Sequence, residues 1–457
     1  LKIPQLKISL WQFRNRRYLT GIDWVVGALH EAGKRSIGNG AISQAILHLD
    51  GRLEEGRLRE VLQRISDRFP IIHGRFSRDW FNLAPYWKVP RRGGERGIGL
   101  SVVDLGVGES DRADQLLADH VNTPLEGDGE HIRFLLVRLG GERSKLGLLF
   151  DHRLFDAHGA ETFFRLMDET FAGRLGEIAP QVKVSEPAHL DHWMRRFASG
   201  KTLNRHLVQL QQKQVAALAM PGSARGRRIR FVHETLSVEE SAGLNQTAFA
   251  EIGLPILLPS AAARAVDAVQ RALPEAPLAG GQYLLFTSAN MRGAGEEWAS
   301  IFFNHFSFVF FSVPIAAVGE PRKTIKEVAV LLRDQFFGHM KDKIPFAMQD
   351  AAALGRIFPR LLVARMINSM FDGRMCSFYF ACLKETGYPG ETFLGVRASN
   401  LTHTPLAFAP PGMNLCMTFF GGRFNLVLSY LEGAMEDATA AEILRGFKGS
   451  LVAGCAG

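Results

Sequence analysis

The stretch "LLFDHRLFDAHGAETFF", Leu148 to Phe164, sets two histidines and two aspartates between an apolar run and an apolar helical pattern. His152 is the residue there best suited to chemistry. Imidazole titrates near neutrality, so its neutral form can take a proton from a hydroxyl or an amine as that group attacks an acyl carbon. With a thioester as acyl donor, a base and two positioned substrates suffice. Asp156 follows in the pattern H-x-x-x-D, and His158 stands two residues further on. Three readings of these residues are open. The plainest is a turn histidine bonded to backbone. A metal site of His152, Asp156 and His158 is the second, although that spacing is not a ligand signature. A general base at a strand end is the third, because a strand can hold a side chain rigidly at the edge of a cleft.

The elements around the motif follow from periodicity. "EHIRFLLVRLG" (Glu130–Gly140) and "SKLGLLF" (Ser144–Phe150) read as strands joined at the Gly140-Gly141 turn. After Gly159, the residues Phe163, Phe164, Met167 and Phe171 make a helical apolar face. Upstream, "GAISQAILHLDG" (Gly40–Gly51) reads as a strand. Leu53, Leu58, Val61, Leu62, Ile65 and Phe69 then fall at helical spacing before Pro70. The second half repeats this order. A strand at Arg230–Ser237 precedes helices at Val238–Gly253 and Ile256–Pro274. Strands at Gly281–Arg292 and Asn304–Pro314 lead to a helix at Thr324–Met340. Three extended segments and a final helix, Glu436–Val452, complete it. The predicted class is mixed α/β. Residues 1–178 form a lobe with the motif, 179–230 a crossover, and 231–457 a second lobe.

Several chemistries are excluded. The chain has no G-x-x-x-x-G-K-S/T loop, no G-x-G-x-x-G after a strand, no G-x-S-x-G elbow and no H-E-x-x-H. Its net charge is +8, which suits nucleic acid, an anionic membrane surface or a phosphorylated co-substrate such as a coenzyme A thioester. The basic runs, Arg14–Arg17, Pro90–Arg96, His192–Phe197 and Ala224–Arg230, are short and read as solvated loops. Without a zinc finger or an aromatic-basic RNA motif, nucleic acid is not an expected partner. Cys376, Cys382, Cys416 and Cys455 include no C-x-x-C pair and read as reduced, mostly buried thiols. The N-terminal residues lack the pattern of a signal peptide. The apolar run Ile301–Val318 is interrupted by Asn304, His305 and Pro314, too broken to span a bilayer. The expectation is a cytoplasmic protein, not transmembrane.

The segments taken in order resemble the HxxxD acyltransferases related to chloramphenicol acetyltransferase and to the condensation domains of nonribosomal peptide synthetases. The resemblance runs from about Ile42 to Val452. "LEEGRLREVLQRISDRFPIIHGRF" looks like that family's first helix and following strand. "NTPLEGDGEHIRFLLVRL" looks like the strand before the motif, and "DHRLFDAHGAETFF" like the motif. "LSVEESAGLNQTAFAEIG" looks like the opening of the second lobe, "SANMRG" like its N-x-R segment and "FFNHF" like its G-N segment. The resemblance implies two similar lobes of the chloramphenicol-acetyltransferase type, each a mixed sheet with helices, and a tunnel between them.

In that frame His152 is the general base. Asp156 is a structural partner turned away from it and paired with Arg292. Ser288, Asn304 and Cys382 fall at the substrate channel. The co-substrate is an acyl-CoA or a phosphopantetheine-linked acyl thioester, with no tightly bound cofactor and no metal. The acceptor is a small-molecule or lipid hydroxyl or amine, and an acyl carrier protein is a further partner. The sequence also departs from the family. It has Asp151 where histidine usually precedes the motif, and Ala157 where glycine follows it. "FACLKETG" stands in place of Ser-Asn-Gly, and Phe303 in place of a glycine. Two alternatives therefore stand beside a free-standing acyltransferase. One is a silent relative that binds a carrier protein or ligand in the inter-lobe cleft. The other is a carrier-dependent amide-forming enzyme.

Overall fold

Runs such as Leu146, Leu148, Leu149 and Phe150 lack a polar face, and they become strands covered on both sides. The computed structural model describes residues 16–79, 83–90, 97–140, 142–177, 190–218, 222–273, 281–295, 298–315, 323–407 and 409–455. β1 (Arg16–Tyr18) precedes α1 (Gly21–Ser36), whose start Thr20 and Asp23 cap reciprocally. β2 (Ile42–Leu49) and α2 (Glu55–Arg68) follow. β3 (Arg75–Arg78) and β4 (Pro85–Lys88) join β1 in a small sheet. Next come β5 (Gly99–Asp104), α3 (Ser110–Val121), β6 (Ile132–Leu139), β7 (Arg143–Asp151) and α4 (Ala157–Phe171).

α5 (Leu190–Gln211) leads to β8 (Ile229–Thr235), α6 (Val238–Ile252), α7 (Leu257–Ala272), β9 (Gln282–Asn290) and β10 (Phe306–Pro314). α8 (Ile325–Lys341), α9 (Ile344–Leu354), α10 (Arg360–Asn368) and α11 (Met370–Gly373) form a helical run. β11 (Phe378–Leu383), β12 (Thr392–Phe393), β13 (Val396–Thr404), β14 (Met413–Phe420), β15 (Arg423–Leu431) and α12 (Asp437–Cys455) complete the order.

Two six-stranded sheets carry the lobes. The first runs β12-β13-β2-β7-β6-β5 and the second β10-β9-β11-β14-β15-β8. Both are mixed: β5 lies parallel to β6, and β11 parallel to β9 and β14. Phe134, Leu148, Phe150 and Phe163 centre one core, and Phe378, Leu415, Leu428 and Phe447 the other. The architecture is thus the expected mixed α/β pair of lobes.

Two expectations need correction. The boundary drawn by chain order places all of 231–457 in one lobe, but β13 pairs with β2 and so belongs to the first sheet. Its pairing gives β2 a partner on the side away from β7, where bare N–H and C=O groups would otherwise be exposed. The basic run at Arg14–Arg17 was expected at a solvated surface. Within it, Arg17 is buried and pairs with Asp23 at 3.3 Å. The run Pro90–Arg96 lies, after Pro90, outside the described residues. Among the described residues no single helix is long and apolar enough to cross a membrane. The apolar run Ile301–Val318 contains β10, a largely buried strand.

Candidate active site

β7 ends at Asp151, and α4 begins at Ala157. The turn between them is held by its backbone and from outside. The carbonyl of Asp151 accepts from the N–H groups of Leu154 and Phe155. His152 N–H donates to the carbonyl of Ala41 at 2.9 Å. From the loop between β9 and β10, Asn304 Nδ2 donates to the carbonyl of His152 at 2.9 Å. Both lobes therefore fix the main chain of His152.

Asp156 ends the turn and is the N-cap of α4. Its Oδ1 accepts from Gly159 N at 2.8 Å and from Arg292 Nη2 at 2.6 Å. Its Oδ2 accepts from His305 N at 3.0 Å. Burial pushes the carboxyl pKa up, but Arg292 and the contacts with His305 outweigh it and hold the pKa at about 2. Arg292 also donates through Nε to Ser300 Oγ at 3.1 Å. The guanidinium in the second lobe is thus clasped between a loop carbonyl, a hydroxyl and the first lobe's carboxylate.

Asp151 stands directly before His152 at the end of β7. It is buried and accepts from His131 Nδ1 at 2.9 Å and from Arg153 N at 2.8 Å. Arg153 Nη2 lies 2.5 Å from it and His30 Nδ1 3.4 Å. Burial alone would raise its pKa, yet Arg153, His30 and His131 hold it well below the ordinary carboxylate range. This anionic hub pins the turn beneath His152.

His152 is half-buried and lines an inter-lobe cavity of about 370 Å³. Phe150, Phe286, Phe306, Phe308 and Tyr379 supply much of its wall. Burial lowers the imidazole pKa to about 4, against the opposing pull of Asp156 and Asp151. The ring is therefore neutral at pH 7.

Ser288, Arg292 and Cys382 also line the cavity. Burial pushes the Cys382 thiol up to about 12, so it stays protonated. Asn304, expected at the channel, is not part of the cavity wall. Its amide is spent on the His152 carbonyl and, at 3.4 Å, on Asp23 Oδ1. His158 lines the cavity, but among the described residues no cluster of three His, Cys, Asp or Glu could hold a metal. Sequence reasoning missed His403 and Glu161, which meet at 2.7 Å across 242 positions of chain. No local pattern marks either residue.

No family model matches this sequence, and no curated protein matches it. Solved structures do match. The first condensation domain of the calcium-dependent antibiotic synthetase aligns with a TM-score of 0.68 at 15% identity, over 96% of this chain and 97% of that one. The chain has the condensation-domain fold. SgcC5 from Streptomyces globisporus aligns with a TM-score of 0.63 at 17% identity, over 96% of this chain and 98% of that one. The epimerization domain from the third module of tyrocidine synthetase B aligns with a TM-score of 0.58 at 13% identity, over 96% of each chain.

Phe303 has φ 75°, the left-handed region that favours glycine. Its buried ring lies 3.2 Å from the Arg17 guanidinium and 5.7 Å from the Trp87 ring. Left-handed backbone costs about 1–2 kcal/mol outside glycine, and deleting a buried Phe costs about 3–5 kcal/mol. Packing therefore outweighs strain. Phe303→Gly and Phe303→Ala should both lower the urea midpoint, and glycine should be the milder by about 1 kcal/mol. Equal losses would mean the backbone there is unstrained.

Proposed function

We propose that this chain is an acyltransferase that moves an acyl group from a thioester donor to a hydroxyl or amine, with His152 as general base. The observation that carries the reading is His152, its main chain held from both lobes and its residue lining an aromatic-walled cavity. The donor is an acyl-CoA or an acyl group on the phosphopantetheine arm of a carrier protein, used as co-substrate. The acceptor is a small-molecule or lipid nucleophile. The aromatic wall suits an apolar acyl or acceptor group. His152 takes the nucleophile's proton as the carbon–sulfur bond breaks, then passes it to the departing thiolate. Asp156 and Arg292 hold the turn and take no part in proton transfer. A carrier-dependent amide-forming enzyme is the second reading, favoured by the condensation-domain fold.

Thiol release by the parent protein, measured over a panel of acyl-CoA and acyl-carrier donors, tests the reading. No release with any donor would count for a silent binding protein, which a carrier would stabilise without turnover.

The depressed pKa fixes the expected pH profile. The base is active when neutral, so with an alcohol acceptor, which does not titrate in this range, kcat/KM should stay level from pH 7 to pH 5 and fall on an acid limb near 4. An acid limb at the ordinary histidine value of 6.5 would show that His152 is not the desolvated base.

A further inference from the structure

α5 (Leu190–Gln211) has one face on the protein and one in water. On the inner face Ser199 donates to Asp350 of α9 at 3.2 Å, and Leu203 is buried. The His206 ring there lies 4.9 Å from that of His339 on α8. Successive helical residues turn by about 100°, so Met194, Phe197, Lys201, Arg205 and Val208 fall on the opposite side, in a stripe about 80° wide. All five are exposed, Met194 at 72% and Phe197 at 64%. Soluble helices normally turn such apolar residues inward. These two project from the surface and lie outside the inter-lobe cavity.

The charges of the stripe are unopposed. Arg195, at its flank, pairs with Asp350 at 3.1 Å, but Lys201 and Arg205 have no ion-pair partner among the described residues. From His192 to His233 the chain carries no acidic residue. The His206 contact sets the end of α8 beside this helix. Met340, Lys341 and Lys343 are exposed there, with Asp342 between the two lysines, and α9 opens with exposed Phe346.

This mixture selects the partner. Nucleic acid would use the cations and leave the apolar side chains in water. A second copy of this chain, docked through the same face, would set Lys201 and Arg205 against their own like charges. An anionic phospholipid surface satisfies both kinds of residue, because apolar side chains enter the acyl boundary while basic heads stay at the phosphates.

We propose that the outer face of α5 binds the surface of a bilayer containing anionic phospholipid, with Met194, Phe197 and Val208 inserted and Lys201 and Arg205 on the lipid phosphates. The binding is independent of His152 and of the reaction. Its place in the fold sets it close to the site. α9 lies between α5 and β10, where Gln349 Nε2 donates to the Phe306 carbonyl at 3.4 Å and Ser307 Oγ to the Pro345 carbonyl at 2.6 Å. The bound face is thus one helix layer from the Phe306 and Phe308 wall of the cavity.

Flotation of the full chain with vesicles tests this, using phosphatidylcholine alone and phosphatidylcholine mixed two to one with phosphatidylserine. The parent should float with the mixed vesicles, and salt should weaken its binding. Replacing Lys201→Gln together with Arg205→Gln should lower the bound-to-free ratio about thirtyfold. Met194→Ser together with Phe197→Ser should lower it about tenfold or more. Both pairs are exposed and should keep the parent's melting temperature. Arg59→Gln with Arg64→Gln removes the same charge from the exposed side of α2 and should change the ratio by no more than about twofold. A parent that stays off the mixed vesicles would overturn the proposal. So would an equal loss in the α2 pair, or full binding by the Met194 and Phe197 pair, since either means adsorption by net charge alone. A dimer that the α5 substitutions split would assign the face to a second copy instead.

Discussion

Asp156→Ala should be the most destabilising single substitution in the motif, lowering stability by about 3–5 kcal/mol. Its carboxylate is buried and takes three hydrogen bonds, from Arg292, Gly159 and His305. Removing it leaves a guanidinium with 7% side-chain exposure facing no counter-charge. It also strips the cap from α4, worth about 1 kcal/mol by itself. These losses share one side chain and overlap, so they do not simply add. Asp156→Asn keeps a capping oxygen and should fall between the parent and alanine. Arg292→Ala should cost less than Asp156→Ala, because the carboxylate keeps two N–H donors.

Urea unfolding of the three variants checks this order. Asp156→Ala with the parent's midpoint, and with turnover lost, would make Asp156 part of the chemistry instead. The same carboxylate gives stability a pH dependence. Its folded pKa of about 2 lies below the ordinary 3.8. Its contribution, about 2 kcal/mol, is complete above the ordinary value and is lost as pH falls through 2.

How far the sequence could be read depended on the range of each interaction. The strand–turn–helix order around His152 is written in local periodicity, from the apolar run ending at Phe150 to the helical face of Phe163, Phe164 and Met167. The link from Asp156 to Arg292 spans 136 positions, and it was reached only through family resemblance. Asn304 was placed near the right turn by the same route. Its function as a clamp on the His152 carbonyl was not legible, because it depends on which way an amide faces.

Three features had no local signal at all. β13 is not among the extended segments read in the second half, because its residues, VRASNLTHT, are largely polar and do not alternate, so neither the strand nor its pairing with β2 could be read from them. The His403–Glu161 contact joins that strand to α4 and inherits the same problem. Arg17 sits in a run that looks solvated, and only the placement of Phe303 and Asp23 around it makes burial tolerable. Asp151 was visible as a departure, but the partners His30, His131 and Arg153 that make it an anchor were not.

His152→Ala should lower kcat by about 10²–10⁴-fold, the usual contribution of general-base catalysis. The parent ring lines the cavity, and its backbone is fixed independently by Ala41 and Asn304. The variant should therefore keep its thermal midpoint and its affinity for the donor, with the loss confined to turnover. Thiol release by His152→Ala beside the parent, on the parent's best acyl-CoA or acyl-carrier donor, is the most direct measurement. A loss of at least about a hundredfold with an unchanged melting temperature is the predicted result. A variant that releases thiol as fast as the parent would contradict the account.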